Sequence, residues 1–351
     1  MKRIKTSCKA LALLGSSVVI MLTGCSAGES PAAAEKHEAQ VFAMDTVMLF
    51  TAYGEHGAEA LTAAEEVIYA LEADLDPANP GGSVYAANAG AGQYVPVSED
   101  CINIMSTTME QYRATGGALD PGLYAVVQAW GFISGEYRVP AQTELNGLLA
   151  EKNTEGLLID EARSAVYVPA GTAISFGAVG KGYAAQKAVE AMAAAGVESA
   201  ILSLGGNVQT LGATKPDGSL WQVAVTDPRD TGAYVGILTI GEAAVVTSGG
   251  YQRFFEQDGV TYIHIIDPAD GWPVDNDLLS VTVVTEDGAK ADALSTALFV
   301  MGAEGALAHY RAEGGFEMVL ITQDGRVIVT PGLRDSFGER SGEYSYEYPE
   351  K

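Results

Sequence analysis

Basic residues are scarce in this sequence. Twenty Lys and Arg stand against 45 Asp and Glu, a formal net charge of −25. That balance excludes a nucleic-acid partner, because phosphate-backbone binding needs clustered Lys and Arg. Histidine is rarer still, with four residues, and no His/Cys pair lies at zinc-ligand spacing. No GxSxG elbow occurs, so an α/β-hydrolase would have no nucleophile to name. No repeat of 20–50 residues is visible. Charge itself is modest, 19% of residues against 48% hydrophobic, which excludes intrinsic disorder for the chain as a whole.

The three cysteines are too few and too unevenly placed for a disulfide framework. Cys8 lies among Lys2, Arg3, Lys5 and Lys9, and an apolar run, residues 10–22, follows before Thr23-Gly24-Cys25. A basic start, a short apolar stretch and small residues read as an export signal. The run falls short of the roughly 20 residues of a spanning helix, and no other apolar run approaches that length. The ending LTGC resembles a bacterial lipoprotein lipobox, which would make Cys25 the lipidated mature N-terminus; the alternative is an uncleaved signal anchor. Without residues 1–24 the body has 16 basic residues against 45 acidic ones, a net charge of −29. Cys101, followed by Ile102 and Ile104, reads as core packing.

The expected organisation is therefore a signal over 1–24, a lipidated flexible tether over 25–40, one mixed domain over 41–332, and an acidic, disordered tail over 333–351. Within the domain, 41–53 reads as one strand. Helices are expected at 57–75, at 99–115 capped by Ser98, and at 178–196. Strands over 164–170 and 173–176 bracket a turn. Strands alternating with Gly turns follow at 199–204, 221–226, 234–240, 243–247, 261–266 and 279–285. Helices at 289–301 and 303–313 precede a hairpin at 318–330 with an Asp-Gly turn. The fold class is α+β with a strand-rich second half.

Three segments carry chemistry. SFGAVGKGY (175–183) has glycines and Lys181 at a helix start; it fails as a Walker A motif, which needs Gly at Ser175 and Ser or Thr at Gly182. Backbone N–H groups and one ammonium there could hold a phosphate, or the segment is an ordinary strand-to-helix turn. In AKADALSTALFVMG (289–302), Asp292 and Thr296 share a helix face. A carboxylate and a hydroxyl suit a hard cation such as Mg²⁺; the alternative is an N-capping Asp and a Thr bonded back to its own helix. HIIDP (264–268) offers His264 as a general base near neutral pH, or as a structural histidine.

In chain order these segments join AMDT, SVYAAN, ALDP…WGF, LSLGGNV, WQVAVTDPR, TSGGYQRFF and YIHIIDPADGWPV. The whole series resembles the ApbE family of FAD:protein FMN transferases over roughly residues 41–330. The resemblance implies an ApbE-like, T-fold-related architecture and an Mg²⁺-dependent transfer of FMN from FAD to a Thr or Ser hydroxyl, releasing AMP. The acceptor would be an exported partner protein, such as a subunit of a membrane redox complex, and the enzyme would be lipid-anchored on the extracytoplasmic side of the cell membrane. It further implies that Met44, Ala118, Leu119, Asp120, Ser175, Lys181 and Ile266 line the FAD site. The Ala178 carbonyl, Asp292 and Thr296 would hold Mg²⁺. His264 or Asp292 would be the base; His264 is favoured, because Asp292 loses basicity on Mg²⁺. The chain departs from the family pattern at Asp45, where Gly is usual, at Ser175 and Gln186, where Asp is common, and at Gly250, often Asp or Asn. An FAD pyrophosphatase and a non-catalytic flavin-binding lipoprotein are the competing expectations.

Overall fold

The computed structural model describes residues 34–350. The export signal, the lipobox and Cys25 lie outside the described residues. A nine-stranded sheet forms the frame, ordered Lys36–Ala43, Thr46–Tyr53, Ser199–Leu204, Asn207–Leu211, Ala244–Gly249, Leu278–Thr285, Glu317–Thr322, Arg326–Val329 and Ser345–Glu347. Its neighbours run antiparallel except the last pair, which is parallel. Seven helices lie among the described residues: α1 (Gly57–Leu75), α2 (Ser83–Ala89), α3 (Glu99–Ala114), α4 (Tyr124–Ala129), α5 (Gln142–Glu151), α6 (Gly180–Ala194) and α7 (Gly288–Glu313). The class is α+β, as the sequence implies.

Residues 41–53 are two strands rather than one. They pair across a two-residue turn, Met44-Asp45, with Ala43 opposite Thr46. Both turn residues have positive φ, 49° and 60°, the backbone a twisted hairpin demands. Met-Asp carries none of the usual Asn-Gly signal, so the turn is silent in the sequence. The strand also begins at Lys36, which shortens the expected tether. Residues 173–176 form no strand; Ala173 makes one isolated bridge to Leu123.

Helix α1 has the expected bounds, and Ser98 caps α3 by accepting from the Cys101 N–H at 3.0 Å. Apolar residues of α1, α3 and α6 pack with the first strands of the sheet, including Met48, Phe50, Ile68, Ile104 and Met192. Helix α7 covers the sheet further along through Leu294, Leu298 and Phe299. It breaks at Gly302 (φ 72°, ψ 175°), where the sequence places a boundary between two helices. By length and composition α7 could cross a membrane, but its apolar window is mostly buried in the protein.

The acidic tail is ordered. Phe337–Glu339 pairs with Tyr234–Ile240, which itself pairs with Trp221–Thr226, and this small sheet packs against the outer face of the large one. Ser345–Glu347 extends the large sheet. Buried Tyr344 donates to Asp227 at 2.5 Å, and Tyr346 donates to the Val235 carbonyl at 2.6 Å. Composition alone suggests disorder here. Tyr344, Tyr346 and Tyr348 alternate with polar residues, however, and that period of two marks a half-buried strand.

Candidate active site

Four segments converge on one cleft of about 340 Å³. The Met44-Asp45 turn, the 118–133 segment, the loop into α6 and the residues around His264 form its walls, with Asp292 and Thr296 of α7 beside them. Every site residue the sequence suggests within the described chain lines it: Met44, Ala118, Leu119, Asp120, Ser175, Ala178, Lys181, His264, Ile266, Asp292 and Thr296.

Helices α6 and α7 meet at their backbones. A Cβ on Gly182 would stand 2.0 Å from the Gly288 carbonyl oxygen, and one on Gly288 would stand 2.5 Å from the Gly182 oxygen. Glycine at both positions permits this approach, and the Gly182 N–H then donates to Asp292 Oδ2 at 2.8 Å. Gln186 helps fasten the pair by accepting from the Gly288 N–H at 3.2 Å. Asp287, not Asp292, caps α7 through the Lys290 N–H. Asp292 therefore does not cap its own helix; its carboxylate instead accepts from an amide in the first turn of α6. Asp292 is a carboxylate only 4% exposed, with no basic ion-pair partner among the described residues. Thr296 Oγ1 lies 3.3 Å from Ser248 Oγ, which also meets Ser295 Oγ at 2.8 Å. A buried carboxylate without a cationic partner is costly, and with Thr296 and Ala178 lining the same cleft it suits a hard divalent cation. Among the described residues no cluster of three or more His, Cys, Asp or Glu could hold a metal ion, so a cation here would rest on this one carboxylate and neutral oxygens. The donor set fits Mg²⁺.

Asp120 is otherwise engaged. Its carboxylate pairs with Lys152 and accepts from Thr154 Oγ1 at 2.7 Å and the Gly122 N–H at 2.8 Å. It shapes the 118–122 turn. Ser175 Oγ accepts from the Gly177 N–H at 3.2 Å and so orders the loop into α6. Lys181 follows in the first turn of α6, where helix N–H groups and the ammonium together favour an anion.

His264 Nδ1 lies 3.0 Å from the Arg253 carbonyl oxygen. A carbonyl only accepts, so Nδ1 carries the proton and Nε2 is the basic atom of the neutral ring. Burial pushes the ring's pKa down to about 4, the Lys181 and Arg253 charges act the same way, and the carbonyl bond opposes them.

Among the lining residues that sequence reading passed over, two carry side-chain N–H donors of particular note. Asn207 follows a Gly-Gly turn and is 2% exposed, and its Nδ2 has no hydrogen-bond partner. Its only signal was the GGN run. Arg253, within TSGGYQRFF, lines the cleft, donates to the Phe132 carbonyl and faces Asp45. Cys101, with its thiol pushed up to about 12 by burial, is a core residue away from the cleft.

A sequence model of the ApbE family matches residues 44–320. The FAD:protein FMN transferase of Treponema pallidum (strain Nichols) is 30% identical over 337 residues, 91% of this chain and 93% of that protein. The FAD:protein FMN transferase of Klebsiella pneumoniae (strain 342) is 31% identical over 260 residues, 73% of this chain and 80% of that protein. Among solved structures, the ApbE protein of Thermotoga maritima superposes with a TM-score of 0.80 at 27% identity, covering 88% of this chain and 100% of that one. The apo flavinyl transferase ApbE of Pseudomonas stutzeri gives 0.78 at 26% identity, covering 88% and 98%.

Proposed function

The chain belongs to the ApbE family, and on that premise we propose that it transfers FMN from FAD to a Thr or Ser hydroxyl of an exported acceptor protein. The bond formed joins the acceptor oxygen to the FMN phosphorus. The bond broken is the bridging P–O of the pyrophosphate, and AMP leaves with that oxygen. The observation that carries this reading is the meeting, in one cleft, of a buried unpaired carboxylate, a lysine at a helix start and a neutral histidine of defined tautomer.

Asp292, Thr296 and the Ala178 carbonyl would hold Mg²⁺, which when bound polarises the scissile P–O bond and offsets charge on the leaving phosphate. Lys181 and the α6 N-terminus attract the pyrophosphate to a protein that is otherwise strongly acidic. Met44, Leu119 and Ile266 supply the apolar part of the FAD site, and the backbone at Ala118 and Asp120 and the Ser175 loop supply its polar part. His264 Nε2 takes the acceptor hydroxyl proton. Asp292 is less suited to that task, since a carboxylate binding Mg²⁺ is a weaker base. The N-terminal lipobox supports an enzyme anchored through Cys25 on the extracytoplasmic side of the membrane.

The test incubates the full chain with FAD, Mg²⁺ and a candidate exported flavoprotein domain, and follows the acceptor's mass and AMP release. We expect an FMN increment on the acceptor. Asp292→Ala should lower turnover by about a hundredfold or more, the scale of removing one group that supports transition-state charge. AMP release without an increment on any acceptor would replace transfer by hydrolysis of FAD. Flavin binding with neither product would leave a non-catalytic binder.

A further inference from the structure

Two cationic side chains line the cleft, Lys181 and Arg253. Arg253 has divided duties. Its carbonyl receives the His264 ring at 3.0 Å and the His264 amide at 3.1 Å. Its Nη2 donates to the Phe132 carbonyl, which fixes the guanidinium against the cleft wall. Its Nη1 faces Asp45 Oδ2 at 3.7 Å, beyond hydrogen-bond reach. The Asp45 side chain is 84% exposed, so this pairing is a weak and salt-screened attraction. The guanidinium thus keeps most of its five N–H donors free of strong partners, in the cleft that Lys181 also lines.

Asp45 is not demanded by its backbone. It occupies a left-handed turn position, φ 60°, where Asn or Gly serves as well. Placed there, its carboxylate lines the same cleft and competes with any anion for Arg253. A phosphate would win that competition in part, because a guanidinium fork binds phosphate through paired charge-assisted bonds.

We propose that Arg253 is a second phosphate-binding residue of the cleft, acting beside Lys181 on the pyrophosphate of the dinucleotide, and that Asp45 is a resident competitor that sets the affinity. The inference rests on FAD being the ligand. A rival role, Arg253 as a strut holding the Phe132 segment to the Phe254–Gln257 strand, predicts a loss of stability with no coupling between Asp45 and ligand.

The experiment is a double-mutant cycle on the full chain: wild type, Asp45→Asn, Arg253→Met and the double variant, with Arg253→Lys alongside. FAD affinity is read by flavin fluorescence at fixed Mg²⁺, and folding by thermal melting. Asp45→Asn should tighten FAD about threefold at low salt, less at high salt, as a screened pair requires. Arg253→Met should weaken it about tenfold, and Arg253→Lys should recover part of that loss. In the Arg253→Met background, Asp45→Asn should have no effect. Equal tightening in both backgrounds, or none in either, overturns the proposal. Inorganic pyrophosphate titrated against the same proteins separates the two readings. Coupling with pyrophosphate but no FAD binding by any variant would keep the phosphate site and reject FAD as substrate, whereas FAD binding without coupling would do the reverse.

Discussion

His264 joins a fixed tautomer to a depressed basicity, and the two have one source. The residue sits against the Arg253 main chain in a half-buried position, so the ring is held as a donor to a carbonyl while its charged form is disfavoured. A ring with pKa about 4 is uncharged at neutral pH and a weak base. In the proposed reaction, where His264 is the base, an anionic dinucleotide placed beside it would raise that basicity. In the ligand-free protein the consequence is a stability effect. The unfolded ring titrates near 6.5, the folded one near 4. As pH falls from 6.5 toward 4, the unfolded chain binds a proton the native one does not, so stability present above this window is lost within it. The slope is at most about 1.4 kcal/mol per pH unit. Urea midpoints of wild type and His264→Gln at pH 7, 5.5 and 4.5 should therefore converge as pH falls, since the variant lacks this component. Parallel pH slopes would show that His264 titrates normally. His309, also pushed down by burial, contributes equally to both proteins and cancels.

Helices α6 and α7 carry the site because they touch where both lack a side chain. The run GAVGKGY was legible as glycines before a helix, and it reads as a failed phosphate loop because Gly182 stands where Ser or Thr would bind a phosphate's metal. Its actual neighbour, Gly288, lies far along the chain, and no local pattern announces a contact between two backbones. Asp292 and Thr296 were legible as one helical face, since spacing decides that. The capping role was excluded only once the helix start was placed at Gly288, with Asp287 in that role. Arg253 and Asn207 stayed illegible because their significance comes from what crosses the cleft. Gly182→Ala tests the contact. The added methyl would stand 2.0 Å from the Gly288 oxygen and 2.7 Å from Asp292 Cβ, so the helices must part. We expect a loss of about 1–3 kcal/mol, as overpacking of a tight contact costs, and a larger relative loss of turnover, because Asp292 moves with α7. Denaturant unfolding beside turnover measures both. Unchanged values would show that the helices separate freely.

Across the whole molecule the large sheet works on two faces. One face carries α1, α3, α6 and α7 and, at its edge, the cleft; the other is closed by the small sheet and the C-terminal segment. Acidity hid the second closure, while the alternation of tyrosines recorded it. Phe337 is the keystone of that outer layer. It is 6% exposed and lies over Gly236, where any Cβ would fall 2.0 Å from the ring; a glycine there is a seat cut for an aromatic. The outer core that Phe337 belongs to also holds Val235, Leu238, Val327 and Leu333. Phe337→Ala should therefore cost about 3–5 kcal/mol, as for other buried aromatics. The cleft's lining comes from the opposite face and the strand ends, so FAD affinity measured well below the variant's melting temperature should hold within about twofold, the margin expected of distant, independent sites. A disordered tail would leave both stability and affinity untouched. Loss of affinity in step with stability would mean that the outer sheet braces the cleft through the shared strands.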